Sequence, residues 1–122
     1  MILPMDYQTQ LQREALTIVW TRFVKLYPQM RQFVCPVIRM NNRFTKTAGR
    51  CLVESNIVEI GSKFLPKHHK EIFMVTLPHE IAHQVDYNLH GFPKGNRWHG
   101  PTWKTIMEQY GLPPETYHYM EI

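Results

Sequence analysis

Two histidines four residues apart, with a glutamate between them, are the residues of this sequence best placed to do chemistry: His79-Glu80-Ile81-Ala82-His83. On a helix, positions four apart lie on one face, one turn along, so both imidazoles can bind the same metal ion. Glu80 can then reach a water molecule held by that ion. This spacing is typical of zinc-dependent peptide hydrolysis and predicts one catalytic Zn²⁺.

A catalytic zinc site needs a third protein ligand and one open position. The downstream candidates are Asp86, His90, His99, Glu108 and His118. The side chain of Asp86 is short and is better suited to orienting a metal-binding imidazole by a hydrogen bond than to binding the metal itself. His99 follows a loop rich in glycine, which can fold back, and precedes Gly100 and a predicted helix. We therefore expect His79, His83 and His99 to bind the metal.

One class of zinc protease is excluded by this sequence. A metzincin would carry glycine at position 86 and histidine at position 89, where this chain has Asp86 and Leu89. Of the other histidines, His68, His69 and His90 are expected at the surface, and His118 either packs or lines the cleft.

The rest of the pattern predicts an α+β fold. Apolar residues at helical spacing predict helices over residues 6–27, from Pro66 to before Gly91, and from Pro101 to about Tyr110. Short apolar runs bounded by turn residues predict a sheet of three or four strands, antiparallel or mixed, from Phe33-Val34-Cys35, Val37-Ile38, Cys51-Leu52-Val53 and Ile57-Val58-Glu59-Ile60. Pro78 predicts a kink or a fresh helix start just before His79.

Length and composition predict one soluble domain over residues 1–122, expected to be a monomer. No apolar run is long enough to span a membrane, and the start lacks the features of a secretory signal. Cys35 and Cys51 form no disulfide framework and are expected to be buried thiols, which favours an intracellular setting.

The basic residues are unevenly distributed, although the net charge is only +4. No Asp or Glu occurs between Ala15 and Val53, a segment that holds seven of the fourteen basic residues. Such a segment can bind a phosphate backbone, and the predicted contacts are Arg39, Arg43, Lys46 and Arg50. Phe33 and Phe44 would favour single strands if they are exposed; the alternative is that both rings belong to the core.

Four segments, in order, resemble the SprT-like metalloprotease family. They are Thr47-Ala48-Gly49-Arg50-Cys51 with the strand to Ile60, Leu77-Pro78-His79-Glu80-Ile81-Ala82-His83-Gln84, His99-Gly100-Pro101-Thr102-Trp103-Lys104 with Met107-Glu108-Gln109-Tyr110-Gly111, and Gly111-Leu112-Pro113-Pro114-Glu115-Thr116-Tyr117-His118. The resemblance implies a zincin-type domain in which His79, His83 and His99 bind zinc and Glu80 is the catalytic base. Family members also carry proline before the motif.

The resemblance further implies a role in DNA–protein crosslink repair, in which DNA binding activates cleavage of the attached protein. Many bacterial members continue into a C-terminal zinc ribbon with cysteines, whereas this sequence ends at Ile122. Any DNA contact is then expected from the catalytic domain itself or from a partner.

Two other functions fit the sequence. One is a DNA-associated regulatory module that binds zinc without protease activity, against which the intact Glu80 argues. The other is a zinc hydrolase acting on a substrate other than protein. For a protease, the expected substrate is a protein or peptide, and Tyr117, His118 and Tyr119 are the candidates for stabilising the oxyanion.

Overall fold

Three helical segments and a three-stranded sheet make up the described part of the chain, residues 6–115 of a computed structural model. The first segment is α1 (Tyr7–Glu14), a π-helical turn (Ala15–Val19) and α2 (Trp20–Leu26); the second is α3 (Leu65–Glu71), a π-helical turn (Ile72–Thr76) and α4 (Leu77–His90); the third is α5 (Pro101–Tyr110). The predicted α+β class is confirmed, and the fold is zincin-like.

The first segment begins and ends where the sequence predicts. The Asp6 carboxylate accepts a hydrogen bond from the backbone N–H of Thr9 at 2.7 Å, which satisfies one of the free donors of the first turn. Pro28 follows soon after the last helical residue, Leu26. The buried apolar side chains of this segment are Leu11, Ala15, Val19, Trp20 and Phe23, and its π-helical turn packs against α4.

The sheet is mixed and has the strand order β1-β3-β2. Its strands are β1 (Val37–Asn41), β2 (Gly49–Leu52) and β3 (Ile57–Gly61). β1 runs parallel to β3, and β2 runs antiparallel to it. Consequently β2 lies at one edge of the sheet, and α4 packs against it.

The predicted strand over Phe33-Val34-Cys35 is wrong, because no strand forms there. The backbone N–H of Phe33 instead closes a 3₁₀ turn by donating to the carbonyl of Met30 at 3.0 Å. The carbonyl of Val34 accepts a hydrogen bond from the Asn56 side chain at 3.1 Å, and Pro36 has no N–H to give to a ladder. The backbone groups of this segment are therefore used locally.

α4 begins at Leu77 with Pro78 at its second position, which agrees with the predicted helix start before His79, although the residues before it are also helical. The π-helical turn Ile72–Thr76 directly precedes α4, and the helix runs on through Pro78 to His90. A proline lacks the N–H of a helical hydrogen bond and crowds the carbonyl four residues earlier, and a wider turn at that point relieves the crowding. The backbone departs from helical geometry at His68, where φ is −125° and ψ is 26°.

α5 packs against α4 and α2, and four of its side chains are buried: Trp103, Ile106, Met107 and Tyr110. Gly111 ends the helix with a φ of 106°, a left-handed conformation that favours glycine. In the part of the chain described by the structure, no helix is long and apolar enough to cross a membrane.

Candidate metal centre

Three histidine side chains converge on one point between α4 and the start of α5. His79 and His83 lie one turn apart on α4, and each is only 7% exposed. His99 comes from the loop that precedes α5. One potential ligand atom from each residue lies within 4.8 Å of the other two. The structure thus brings together the three residues that the sequence predicted as ligands.

The cluster fits a metal ion in both spacing and protonation. The Nε2 atoms of His83 and His99 are 3.1 Å apart, close to the separation of about 3.3 Å for two nitrogens bound tetrahedrally to one zinc ion. Burial, together with the neighbouring His79 and His99, lowers the pKa of His83 to about 3. The imidazole is therefore neutral at pH 7 and offers a lone pair, as metal binding requires.

The other candidate ligands do not join the cluster. Among the described residues, His79, His83 and His99 form the one group of three or more histidine, cysteine or acidic side chains close enough to share an ion. His90 points elsewhere, and its Nδ1 donates to Oδ1 of Asp86 at 2.9 Å. His118 lies outside the described residues, as do Tyr117 and Tyr119.

Asp86 therefore has a partner other than a liganding imidazole. Its buried carboxylate is bonded to His90, one turn further along α4. The Nδ1 atom of His83 is buried and has no hydrogen-bond partner among residues 6–115. The orienting role that the sequence suggested for Asp86 is not visible in these contacts.

Glu80 lies beside the cluster and is almost as well buried as the histidines. Its Oε2 is 3.7 Å from Nε2 of His79. Burial raises the pKa of this carboxyl to about 8, because the charged form is desolvated. A bound cation would favour the carboxylate again. A carboxyl group in this setting can accept a proton near neutral pH and return it.

A cleft of about 400 Å³ opens above these residues. Its lining comes from Lys46, Thr47, Ala48, Gly49, Arg50, Cys51, Val53, Thr76, His79, Glu80, His83, Trp98 and His99. One wall is thus β2 with the loop before it, and the facing wall is α4 with the end of the His99 loop. The side-chain amide of Gln84 donates to the carbonyl of Val53 at 3.0 Å and fixes α4 to the chain after β2.

Gly49 lets these two walls approach closely. A β-carbon at this position would lie 3.1 Å from Cγ2 of Thr76 and 3.2 Å from Cγ of Glu80, tighter than ordinary van der Waals contact. This role of Gly49 is not predicted from the sequence. No local signal could reveal it, since the contact joins a strand to a helix about thirty residues away.

The predicted nucleic-acid contacts lie on the outer face of the sheet and beside the cleft. Arg39 and Arg50 flank Glu59 in the strand register and hydrogen-bond its carboxylate at distances of 2.6 to 3.0 Å. Burial raises the pKa of Glu59, but the hydrogen bonds and charges of Arg50 and Arg39 outweigh that effect and hold its pKa below the ordinary value. Lys46 and Arg50 line the cleft.

Phe33 and Phe44 are half-buried and pack against the core, which agrees with the alternative that both rings belong to the core. The guanidinium of Arg50 lies 5.2 Å from the ring centre of Phe44. Phe44 thus supports a basic side chain, and its ring is not displayed as a free stacking platform.

The comparisons with known proteins all indicate one family. The model of the SprT-like family matches residues 16–118. Protein SprT of Actinobacillus succinogenes is 31% identical over 93 residues, which cover 75% of this chain and 52% of that protein. Protein SprT of Pseudomonas syringae pv. tomato is 33% identical over 89 residues, 72% of this chain and 52% of that protein.

A Bacillus subtilis protein named SprT-like is 30% identical over 73 residues, which cover 60% of this chain and 47% of that protein. The chain spans about half the length of the curated relatives it matches. No solved structure matches the chain.

Replacing His99 by alanine should strip the metal from the purified protein, because two imidazoles remain where a catalytic site uses three. His90→Ala is the matched control, since His90 bonds Asp86 outside the cluster. Elemental analysis of both variants gives the metal content per chain. Unchanged metal in His99→Ala, with loss in His90→Ala or His118→Ala, would assign the third ligand to another residue.

Proposed function

We propose that this chain, which belongs to the SprT-like family, is a zinc-dependent metallopeptidase. His79, His83 and His99 would hold a single catalytic Zn²⁺, and Glu80 would be the general base. The observation that carries the proposal is a buried carboxyl group beside three converging imidazoles at the floor of an open cleft. A structural zinc site is normally closed by four protein ligands and has no use for a base.

In the proposed hydrolysis, the three histidines would hold the zinc ion and Glu80 would transfer the proton. Zinc bound there supplies Lewis acidity, which polarises the scissile carbonyl and lowers the pKa of water. Glu80 takes a proton from the attacking water as the new C–O bond forms. It then delivers that proton to the leaving amine as the peptide C–N bond breaks. Burial suits Glu80 to both steps, because desolvation lowers the free-energy difference between its two protonation states near pH 7.

The position of β2 supports a polypeptide substrate over other substrates of zinc hydrolases. β2 is an edge strand, and its residues 49–51 line the cleft beside Glu80. An edge strand offers unpaired backbone groups with which an extended peptide can form a further strand. Such pairing would place a backbone carbonyl of the substrate over the histidine cluster without selecting strongly among sequences.

The basic residues beside the cleft support substrates that are bound to DNA. Two arginines share one carboxylate, so Arg39, Arg50 and Glu59 together keep one net positive charge. Arg43 and Lys46 add to it and are exposed. A phosphate backbone held at this surface would bring an attached protein to the cleft. The alternative function is a DNA-associated zinc-binding regulatory module without protease activity.

Glu80→Gln should retain the metal and the fold but lose at least about 100-fold in peptide hydrolysis, because an amide keeps the shape and accepts no proton. The exposed Glu108→Gln on α5 is the matched control and should keep full activity. Initial rates on a denatured protein substrate, with metal content measured in parallel, decide between the two functions. Equal rates in Glu80→Gln and the unmodified protein would favour the regulatory module.

Gly49→Ala should lower the hydrolysis rate by roughly ten- to a hundredfold, because the added methyl group displaces Glu80 by a few tenths of an ångström or more. Metal content should stay unchanged, since the atoms nearest to the added methyl group belong to Thr76, Glu59 and Glu80, none of which is a proposed metal ligand. Ala48→Gly is the control, because it changes the preceding cleft-lining residue without adding a contact. A rate for Gly49→Ala equal to that of the unmodified protein would show that the two walls can separate freely.

Replacing Arg39, Arg43 and Lys46 by alanine should weaken binding to single-stranded DNA and make it less salt-dependent. Losing up to three phosphate contacts would reduce the slope of log affinity against log salt by about 2. The exposed residues Arg13, Lys70 and Lys104, replaced by alanine, provide a control with the same change in charge. Fluorescence anisotropy at several salt concentrations gives both slopes, and equal slopes would place the DNA surface elsewhere.

A further inference from the structure

We infer that Trp103 is a positioning residue that holds the three imidazoles in the arrangement that binds the metal, an inference that rests on the proposed function. The indole is completely buried in α5. Its ring centre lies 4.7 Å from that of His79, 5.0 Å from that of His83 and 4.7 Å from that of His99. A single side chain therefore contacts all three members of the cluster.

His83 shows why such a support is needed. A liganding histidine usually donates its second ring nitrogen to a carboxylate or a carbonyl, and this hydrogen bond fixes the ring. The Nδ1 atom of His83 has no such partner among residues 6–115. The ring is instead stacked on Trp103, with 14° between the two planes. Packing against the indole face thus restricts a torsion that is otherwise broad.

His79 and His99 meet the same indole at steep angles. The planes of Trp103 and His79 are 62° apart, and those of Trp103 and His99 are 82° apart. The indole Nε1–H also donates to the backbone carbonyl of His79 at 3.4 Å. His99 lies four residues before Trp103, so the indole joins the loop that carries the third ligand to the helix that carries the other two.

This arrangement assigns Trp103 a role in metal affinity. Trp103→Phe keeps an aromatic ring but removes part of the surface under the histidines and the Nε1–H donor. Its affinity for Zn²⁺ should fall by at least about tenfold, the effect typical of losing an outer support of a metal ligand. Trp20→Phe, at a buried tryptophan in α2, should leave the affinity within twofold.

The experiment is a Zn²⁺ titration of each metal-free variant against a chromophoric chelator, with urea unfolding of the metal-free proteins in parallel. Loss of affinity in Trp103→Phe alone, at a similar loss of stability in both variants, supports the inference. Unchanged affinity in Trp103→Phe, or an equal loss in Trp20→Phe, overturns it. Because the titration measures metal binding, it stands apart from peptidase activity, whose absence would instead reject the proposed function.

A second measurement covers the case in which Trp103→Phe does not fold. In protein labelled with 5-fluorotryptophan, the ¹⁹F resonances are assigned with the Trp20→Phe and Trp98→Phe variants. Zn²⁺ should shift the resonance of Trp103 and leave that of Trp20 in place. A Trp103 resonance that does not respond to Zn²⁺ would overturn the inference.

Discussion

The removal of polar groups from water along one face of α4 is the constraint on which the rest of the structure depends. His79, Glu80 and His83 are buried among apolar side chains, and burial drives both Glu80 and His83 toward their neutral forms. Removing such groups from water costs free energy, and a cation bound by the imidazole lone pairs of His79 and His83 would offset part of that cost. Binding of a metal ion by the histidine cluster would therefore add to the stability of this fold.

Two residues on opposite sides of α4 adapt the surrounding elements to that face. On the cleft side, Gly49 has no side chain, so the edge strand approaches Glu80 closely. On the core side, Trp103 fills the space beneath the three imidazoles with one rigid ring system. The smallest and the largest side chains thus serve the same purpose, which is to leave the polar groups little freedom except toward the cleft.

The sequence predicts what depends on local spacing and misses what depends on contacts between distant segments. The pairing of His79 with His83 follows from helical geometry. Asp6 caps the start of α1 and Gly111 caps the end of α5, and both caps depend only on neighbouring residues. In the segment wrongly predicted as a strand, the carbonyl of Val34 accepts a hydrogen bond from the side chain of Asn56, 22 residues away. The π-helical turn before Pro78 and the close approach at Gly49 likewise require the packed structure.

The charged residues also show how the order of residues along the chain differs from their arrangement in space. The segment from Ala15 to Val53 contains no acidic residue, yet the strand register places Glu59 between Arg39 and Arg50. The pairing removes one positive charge, and it also holds both guanidinium groups, each about half exposed, in fixed directions on the sheet. Pre-organised cations lose less conformational entropy on meeting a phosphate than free side chains do. The buried glutamate therefore reduces the total charge of this surface while it improves the geometry of the charge that remains.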